Sequence, residues 1–178
     1  MDDVKDFFEA IFGDATGFIF FGWKNESGEL NQQKFVQYPD GLDLAVRLVK
    51  AHEEEDFYFS PMLYEVPRRK KTTVRATPVV YADTDLFDPE RFLVKPSINV
   101  ESSDGHTHSY WILDKTDYPK EDVARVARAI AMTHDERDEE GHKIGVDPSG
   151  WDLTQLLRVP GTTNRKVGKN EPVFVPLS

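Results

Sequence analysis

The chain of 178 residues contains no cysteine, which excludes disulfides, Cys-type zinc sites and thiol nucleophiles. No apolar run approaches the ~18 residues of a membrane-spanning helix. The first residues, Met1-Asp2-Asp3-Val4, lack the basic stretch that opens a signal peptide. The expectation is a soluble, cytoplasmic protein that contacts no membrane. There is no internal repeat, low-complexity tract or linker, so residues 1–178 read as a single domain. Positive charge is also scarce: 22 Lys and Arg stand against 32 Asp and Glu, a net charge of −10. That balance counts against a general nucleic-acid coat, whose affinity comes from Lys and Arg on phosphates.

Hydrophobic residues make up 39% of the chain and aromatic residues 12%, enough to bury a core. The scarce cations are grouped. One track is Arg68-Arg69-Lys70-Lys71 with Arg75, and a second comprises Arg158, Arg165, Lys166 and Lys169. The acidic runs at 53–56 and 135–140 read as solvated helix ends and loops, and His52, His134 and His142 beside them as surface residues.

Apolar spacing predicts helices over 2–12, 41–54 and 120–134, where Val123, Val126, Ala127 and Ile130 share a face. Strands are predicted at 16–23, 57–63, 73–83, 97–101, 109–113, 155–159 and 173–175. Turns are expected at Asn25-Glu26-Ser27-Gly28, at 67–71 and at Ser102-Ser103-Asp104-Gly105. Strands and helices without regular alternation indicate an α+β fold with a largely antiparallel sheet.

Chemistry gathers at three places. Val79-Val80-Tyr81-Ala82 delivers Asp83-Thr84-Asp85 at a strand exit. Alternation puts both carboxylates on one face, an arrangement that is costly without a cation between them. A solvated strand end would read the same way. Asp147 is the candidate third acid and Asp152 the near alternative, while Asp88 reads as an N-cap before Pro89. His106-Thr107-His108 leads into the strand at 109–113; both rings could face a metal, or one could hold a phosphate. Pro160-Gly161-Thr162-Thr163-Asn164 sets a tight turn beside Arg158 and Lys166, and its amides, hydroxyls and guanidinium suit an anionic ligand such as a nucleoside triphosphate. A basic surface turn is the plain alternative.

In order and spacing these segments resemble the archaeo-eukaryotic primase superfamily, above all the primase-polymerase domains of phages and plasmids. The family's acidic pair matches Asp83-Thr84-Asp85, and its small-x-His strand matches His106-Thr107-His108, although His106 is larger than the usual residue. Its closing Leu-Leu-Arg-x-Pro-Gly-Thr-x-Asn-x-Lys segment matches Leu156 to Lys166, with Asp147 standing before it. The likeness spans residues 55–170. It implies an RRM-like palm, with the acids on a sheet flanked by helices, plus an N-terminal α/β portion. It further implies primer synthesis or extension on a single-stranded DNA template by two-metal nucleotidyl transfer. Asp83, Asp85 and Asp147 would hold Mg²⁺ or Mn²⁺. His108, Arg158, Asn164 and Lys166 would serve the NTP or dNTP, and Arg68, Arg69, Lys70 and Lys71 the template. A helicase, as a following domain or a separate protein, is the expected associate of such a catalytic core.

Two other classes remain open on sequence. One is a strand-nicking initiator using the His pair as metal ligands and Tyr118 as nucleophile. The other is a non-catalytic DNA- or nucleotide-binding module.

Overall fold

A computed structural model describes residues 3–24, 27–166 and 170–176. Helix α1 (Asp3–Phe12) is amphipathic, burying Val4, Phe7, Phe8, Ile11 and Phe12. Strand β1 (Gly17–Lys24) forms the spine of the first sheet, and β2 (Leu30–Tyr38) pairs with it antiparallel from Gly17 to Lys24. Sequence pattern missed β2, because Asn31-Gln32-Gln33-Lys34 is exposed and polar on both faces; pairing with apolar β1 holds it extended. Helix α2 (Leu42–Ala51) then packs Ala45 and Val49 inward.

The stretch read as one strand over 57–63 is two, β3 (Phe57–Phe59) and β4 (Leu63–Tyr64), both on the other edge of β1. Pro61 lies between them and has no N–H to continue a ladder. The stretch read as 73–83 is likewise divided. Strand β5 (Val74–Ala76) stays in the first sheet beside β4, and β6 (Val79–Asp85) opens a second sheet. The break falls at Thr77-Pro78, where the Thr77 amide and hydroxyl bond Thr116 O (3.0 Å) and Tyr118 O (2.7 Å) instead of a strand.

The second sheet is completed by the hairpin of β7 (Ile98–Ser103) and β8 (His106–Ile112), in the order β6-β8-β7. Its turn needs the left-handed backbone that Gly105 supplies at φ +71°. Helix α3 (Lys120–Thr133) follows. Strand β9 (Leu157–Arg158) returns to the first sheet beside β3, and β10 (Thr163–Asn164) pairs with β11 (Glu171–Pro172). The last predicted strand is thus shifted, with Phe174 forming only a bridge to Glu101. The turn expected at 25–28 and the cation Lys169 fall partly or wholly outside the described residues.

Every ladder among the described residues is antiparallel, as the α+β expectation required. The buried side chains form one continuous core. Helix α1 wedges between the sheets: the Phe7 ring meets Phe59 of the first sheet at 5.6 Å and Tyr110 of the second at 5.8 Å. Helix α3 covers the opposite face of the second sheet, where Val126 and Ile130 adjoin Val80 and Trp111. No helix among the described residues is long and apolar enough to cross a membrane.

Candidate active site

A cavity of about 520 Å³ opens between the two sheets, within the usual range for a small-molecule site. The second sheet lines it with Asp83, Asp85, Ser102, Ser103, His106 and His108. The first sheet and its flanks add Lys24, Tyr58, Leu156 and Arg158, and the segment after β9 adds Asn164 and Lys166. Residues chosen from three distant stretches of sequence therefore meet in one cleft.

The acidic end is built by β6. Thr84 is fully buried and its hydroxyl lies 2.7 Å from Thr107 O, so Asp83 and Asp85 emerge together on the cavity side. A bulge separates them, and Asp85 adopts a left-handed backbone at φ +47°. That conformation is uncommon outside glycine and more tolerable for Asp than for most residues. Asp147 reaches the same place from the loop after α3, where its N–H donates to Asp83 O at 2.8 Å. Gly150 makes the approach possible, since a Cβ there would lie 3.1 Å from the Asp83 Cβ. Asp147 Oδ1 is tied to the Ser149 amide (3.0 Å) and hydroxyl (2.9 Å). These bonds and Lys143 outweigh burial and hold its carboxyl below the usual range. Burial, then the charges of Asp85 and Asp147, push Asp83 the other way, up to about 7, against the opposing charge of Lys143. Neither Asp147 nor Asp152 lines the cavity itself, but Asp147 abuts Asp83 and shares Lys143 with Asp85, whereas Asp152 caps Thr154 at 2.9 Å and pairs with Lys71.

Lys143 was not foreseen. Its Nζ stands 2.8 Å from Asp85 Oδ2 and 3.3 Å from Asp147 Oδ1. An ammonium between two carboxylates is a stand-in cation, so the donor set suits a hard, oxygen-seeking ion such as Mg²⁺ or Mn²⁺. Among the described residues, the group whose ligand atoms all lie within 4.8 Å of one another is instead the exposed trio Asp138, Glu140 and His142. It lies on a surface turn stitched by its own hydrogen bonds (Asp138 accepts from His142 N–H at 2.8 Å), whereas Asp83 and Asp85 line a cavity.

His108 is buried beside the acids. Burial, then the charge of Arg158, brings its pKa down to about 3. The ring is therefore neutral, and its 3.8 Å separation from Asp83 Oδ1 is no ion pair. Its Nδ1 is buried with no protein partner. His106 sits at the rim, 3.4 Å from Asp85 Oδ1.

The basic end is organised by a residue assigned to the wrong class from sequence. Asp56 closes an acidic run that reads as solvent-facing, yet it is 7% exposed. It accepts from Arg158 Nη1 at 2.6 Å and from the Arg165 amide at 2.9 Å, with Lys24 Nζ at 3.3 Å. Burial would raise its pKa, but the Arg158 hydrogen bond leads a set of favourable contacts that lower it instead. The Arg158 guanidinium is thereby fixed 4.8 Å over the Tyr58 ring. No sequence signal announces a partner 102 positions away. His52 and His134 also prove less exposed than expected, with rings 4.4 Å from Trp23 and 4.8 Å from Phe87.

The turn at 160–164 is not the phosphate cradle its composition suggests. The Gly161 N–H is committed to Val173 O (2.8 Å) and the Thr162 hydroxyl to Val159 O (2.7 Å). The turn instead reverses the chain to bring Asn164 and Lys166 back beside Arg158. Asn164 donates to Ser102 O at 2.7 Å and accepts from the Lys166 amide at 3.0 Å, so its carboxamide is engaged by backbone on both sides.

The basic hairpin divides in two. Arg69 donates to Thr154 O at 2.5 Å and lies over Phe20, while Lys71 pairs with Asp152. These two clamp the loop that follows Asp147, and Arg68 and Lys70 remain exposed. Tyr118 lies outside the cavity lining, with its hydroxyl donating to Asp114 at 2.7 Å, so it is not placed to act with the His pair.

No protein-family model matches the chain, and no curated protein sequence matches it. Solved structures do. The primase RepB′ superposes with a TM-score of 0.66 at 18% identity over 99% of this chain, which spans 56% of that protein's length. The catalytic domain of primase RepB′, in complex with initiator DNA, gives 0.67 at 18% identity, covering 99% of this chain and 84% of that one. The archaeo-eukaryotic-type domain of the cyanophage S-2L primase-polymerase gives 0.60 at 13% identity, covering 98% and 89%. The fold is that of a primase catalytic domain.

Proposed function

We propose that this chain is a primase-polymerase catalytic domain of the archaeo-eukaryotic superfamily. It would carry out template-directed nucleotidyl transfer on single-stranded DNA in phage or plasmid replication, making primers, extending them, or both. The observation that carries this reading is the cleft with carboxylates at one end (Asp83 and Asp85, with Asp147 joined to them through Lys143) and cations at the other (Lys24, Arg158, Lys166). A nucleoside triphosphate with its divalent ions has the complementary charge order. The RepB′ likeness, with a domain bound to initiator DNA, supports DNA as the partner.

Asp83, Asp85 and Asp147 would hold the ions, and Asp147 keeps Oδ2 clear of its Ser149 contacts. Mg²⁺ or Mn²⁺, bound as a pair, would supply Lewis-acid activation of the primer 3′-hydroxyl and charge relief at the leaving pyrophosphate. Arg158, locked by Asp56 and Tyr58, offers preorganised charge to the triphosphate, and its loss would cost about 2–4 kcal/mol of transition-state stabilisation. Lys24 and Lys166 would add charge along the same NTP or dNTP. Neutral His108 would give a phosphate a hydrogen bond and no charge. Asn164 acts by holding Lys166 and Ser102 in place. Arg68 and Lys70 would meet template phosphates, while Arg69 and Lys71 keep the hairpin docked. A helicase remains the proposed larger partner.

The test is primer extension and de novo synthesis on single-stranded DNA with labelled nucleotides and Mg²⁺ or Mn²⁺. Synthesis by the native chain that is lost in Asp83→Ala/Asp85→Ala is the expected result. Tight nucleotide binding with no synthesis under either metal would refute the enzyme reading in favour of a binding module.

A further inference from the structure

Lys143 has no part in the reaction just described, yet it occupies the middle of the acid cluster. We propose that Lys143 is a tethered counter-ion that competes with divalent metal for Asp85 and Asp147, so that loading the site is an exchange of lysine for metal. The inference rests on the metal-dependent reading above.

The position of the lysine is built by backbone. After α3 the chain runs out and returns, with Ile144 and Gly145 amides on Glu136 O (3.1 and 3.0 Å) and the Val146 amide on His134 O (2.8 Å). Arg137 and Lys143 face each other in a bridge. Gly145 seals the return: a Cβ there would meet Glu136 N at 2.1 Å and His134 O at 2.2 Å. Lys143 is thus aimed at the cluster from a fixed base two residues before Gly145. Its ammonium spans acids contributed by separate elements, at 2.8 Å from Asp85 and 3.3 Å from Asp147.

The charge balance makes the contact an exchange rather than a shared site. A lysine ammonium is a compact point charge, and a divalent ion ligated by the same two oxygens would sit within a few ångströms of it. Mg²⁺ tolerates little deviation from octahedral ligation and releases its water reluctantly, so the two cations exclude each other. One ammonium leaves three carboxylates undercompensated, and the site still attracts a doubly charged ion. Departure is cheap for the fold, because the Lys143 side chain is 29% exposed and can swing to solvent without uncovering the core. The free domain then holds its acids together without metal, and a metal-laden nucleotide has to displace the lysine.

Mn²⁺ titration followed by electron paramagnetic resonance of the free ion reads this directly, with no dependence on synthesis. Lys143→Met should bind Mn²⁺ about three- to tenfold more tightly than the native chain, the scale of losing two partly exposed competing ion pairs. Lys143→Gln, measured alongside, guards against a folding defect in one variant and should follow Lys143→Met. Lys143→Arg, which keeps the charge, should stay near native affinity, and Asp85→Asn should bind more weakly. Unchanged or weaker Mn²⁺ binding in both neutral variants, with binding still weakened in Asp85→Asn, overturns the exchange and leaves the catalytic reading standing. No Mn²⁺ binding at millimolar concentration in native and Lys143 variants alike would overturn both.

Discussion

Asp56→Ala tests whether the basic end of the cleft is a buried device or a surface accident. Both side chains of the Asp56–Arg158 pair are 8% exposed and lie 2.6 Å apart, so removing the carboxylate leaves a guanidinium buried beside Tyr58 with no counter-charge. Breaking a buried pair in this way costs roughly 3–5 kcal/mol. In a domain of this size, at about 2–4 °C per kcal/mol, that is a fall in Tm of roughly 6–20 °C. Arg158→Ala should be destabilising too. The double variant carries neither charge, so it should be less destabilised than the sum of the singles by at least about 2 kcal/mol. Denaturant unfolding of the four proteins completes the cycle. The sign with pH follows from the lowered pKa of Asp56. Its contribution is fully present above the unfolded-state value near 3.9 and is lost as pH falls through the still lower folded value. The gap between native and Asp56→Asn should therefore be flat above about pH 5 and close below about pH 4. Strictly additive singles, or a gap that persists unchanged into acid, would refute the argument.

Gly150→Ala should lower kcat by about tenfold with little change in Tm, because the new methyl presses on Asp83 and Asp147 at 3.1–3.5 Å and displaces carboxylates that must stay aligned; steady-state extension kinetics beside calorimetry check it. Arg68→Ala/Lys70→Ala should weaken single-stranded DNA binding and flatten its log–log salt slope by about 1.4, two phosphates at ~0.7 each. Arg69→Ala/Lys71→Ala should instead lower Tm by loosening the loop at 151–154, and fluorescence anisotropy over a salt series separates the two pairs.

The parts of the fold legible from sequence were those whose pattern is local. Apolar runs marked the cores of β6 and β8, and the apolar stripe of α3 marked a helix whose ends matched within a residue. That Asp83 and Asp85 share a face was legible from the strand that carries them, but His108 was expected just before a strand that in fact opens at His106. The division of 73–83 between two sheets was not, because Pro78 weakens a ladder without naming the sheet on either side. Asp56 and Lys143 were hidden by their neighbours. Each lies in or beside an acidic run, and only the tertiary return of Arg158 or of residues 134–146 turns a surface charge into part of the cleft. The segment at 160–164 misled in the other direction: its residues can hold an anion, but their donors are claimed by the chain itself.

Helix α1 contributes no side chain to the cleft, yet the ring of Phe7 touches Phe59 on one side and Tyr110 on the other. Phe59 and Tyr110 also meet each other at 6.5 Å, so the three rings form a triangle that joins the sheet carrying Asp83 and Asp85 to the sheet carrying Arg158. Phe7→Leu would remove one corner of that triangle, so the two ends of the cleft would be held to one another less firmly while every group within it stayed chemically intact.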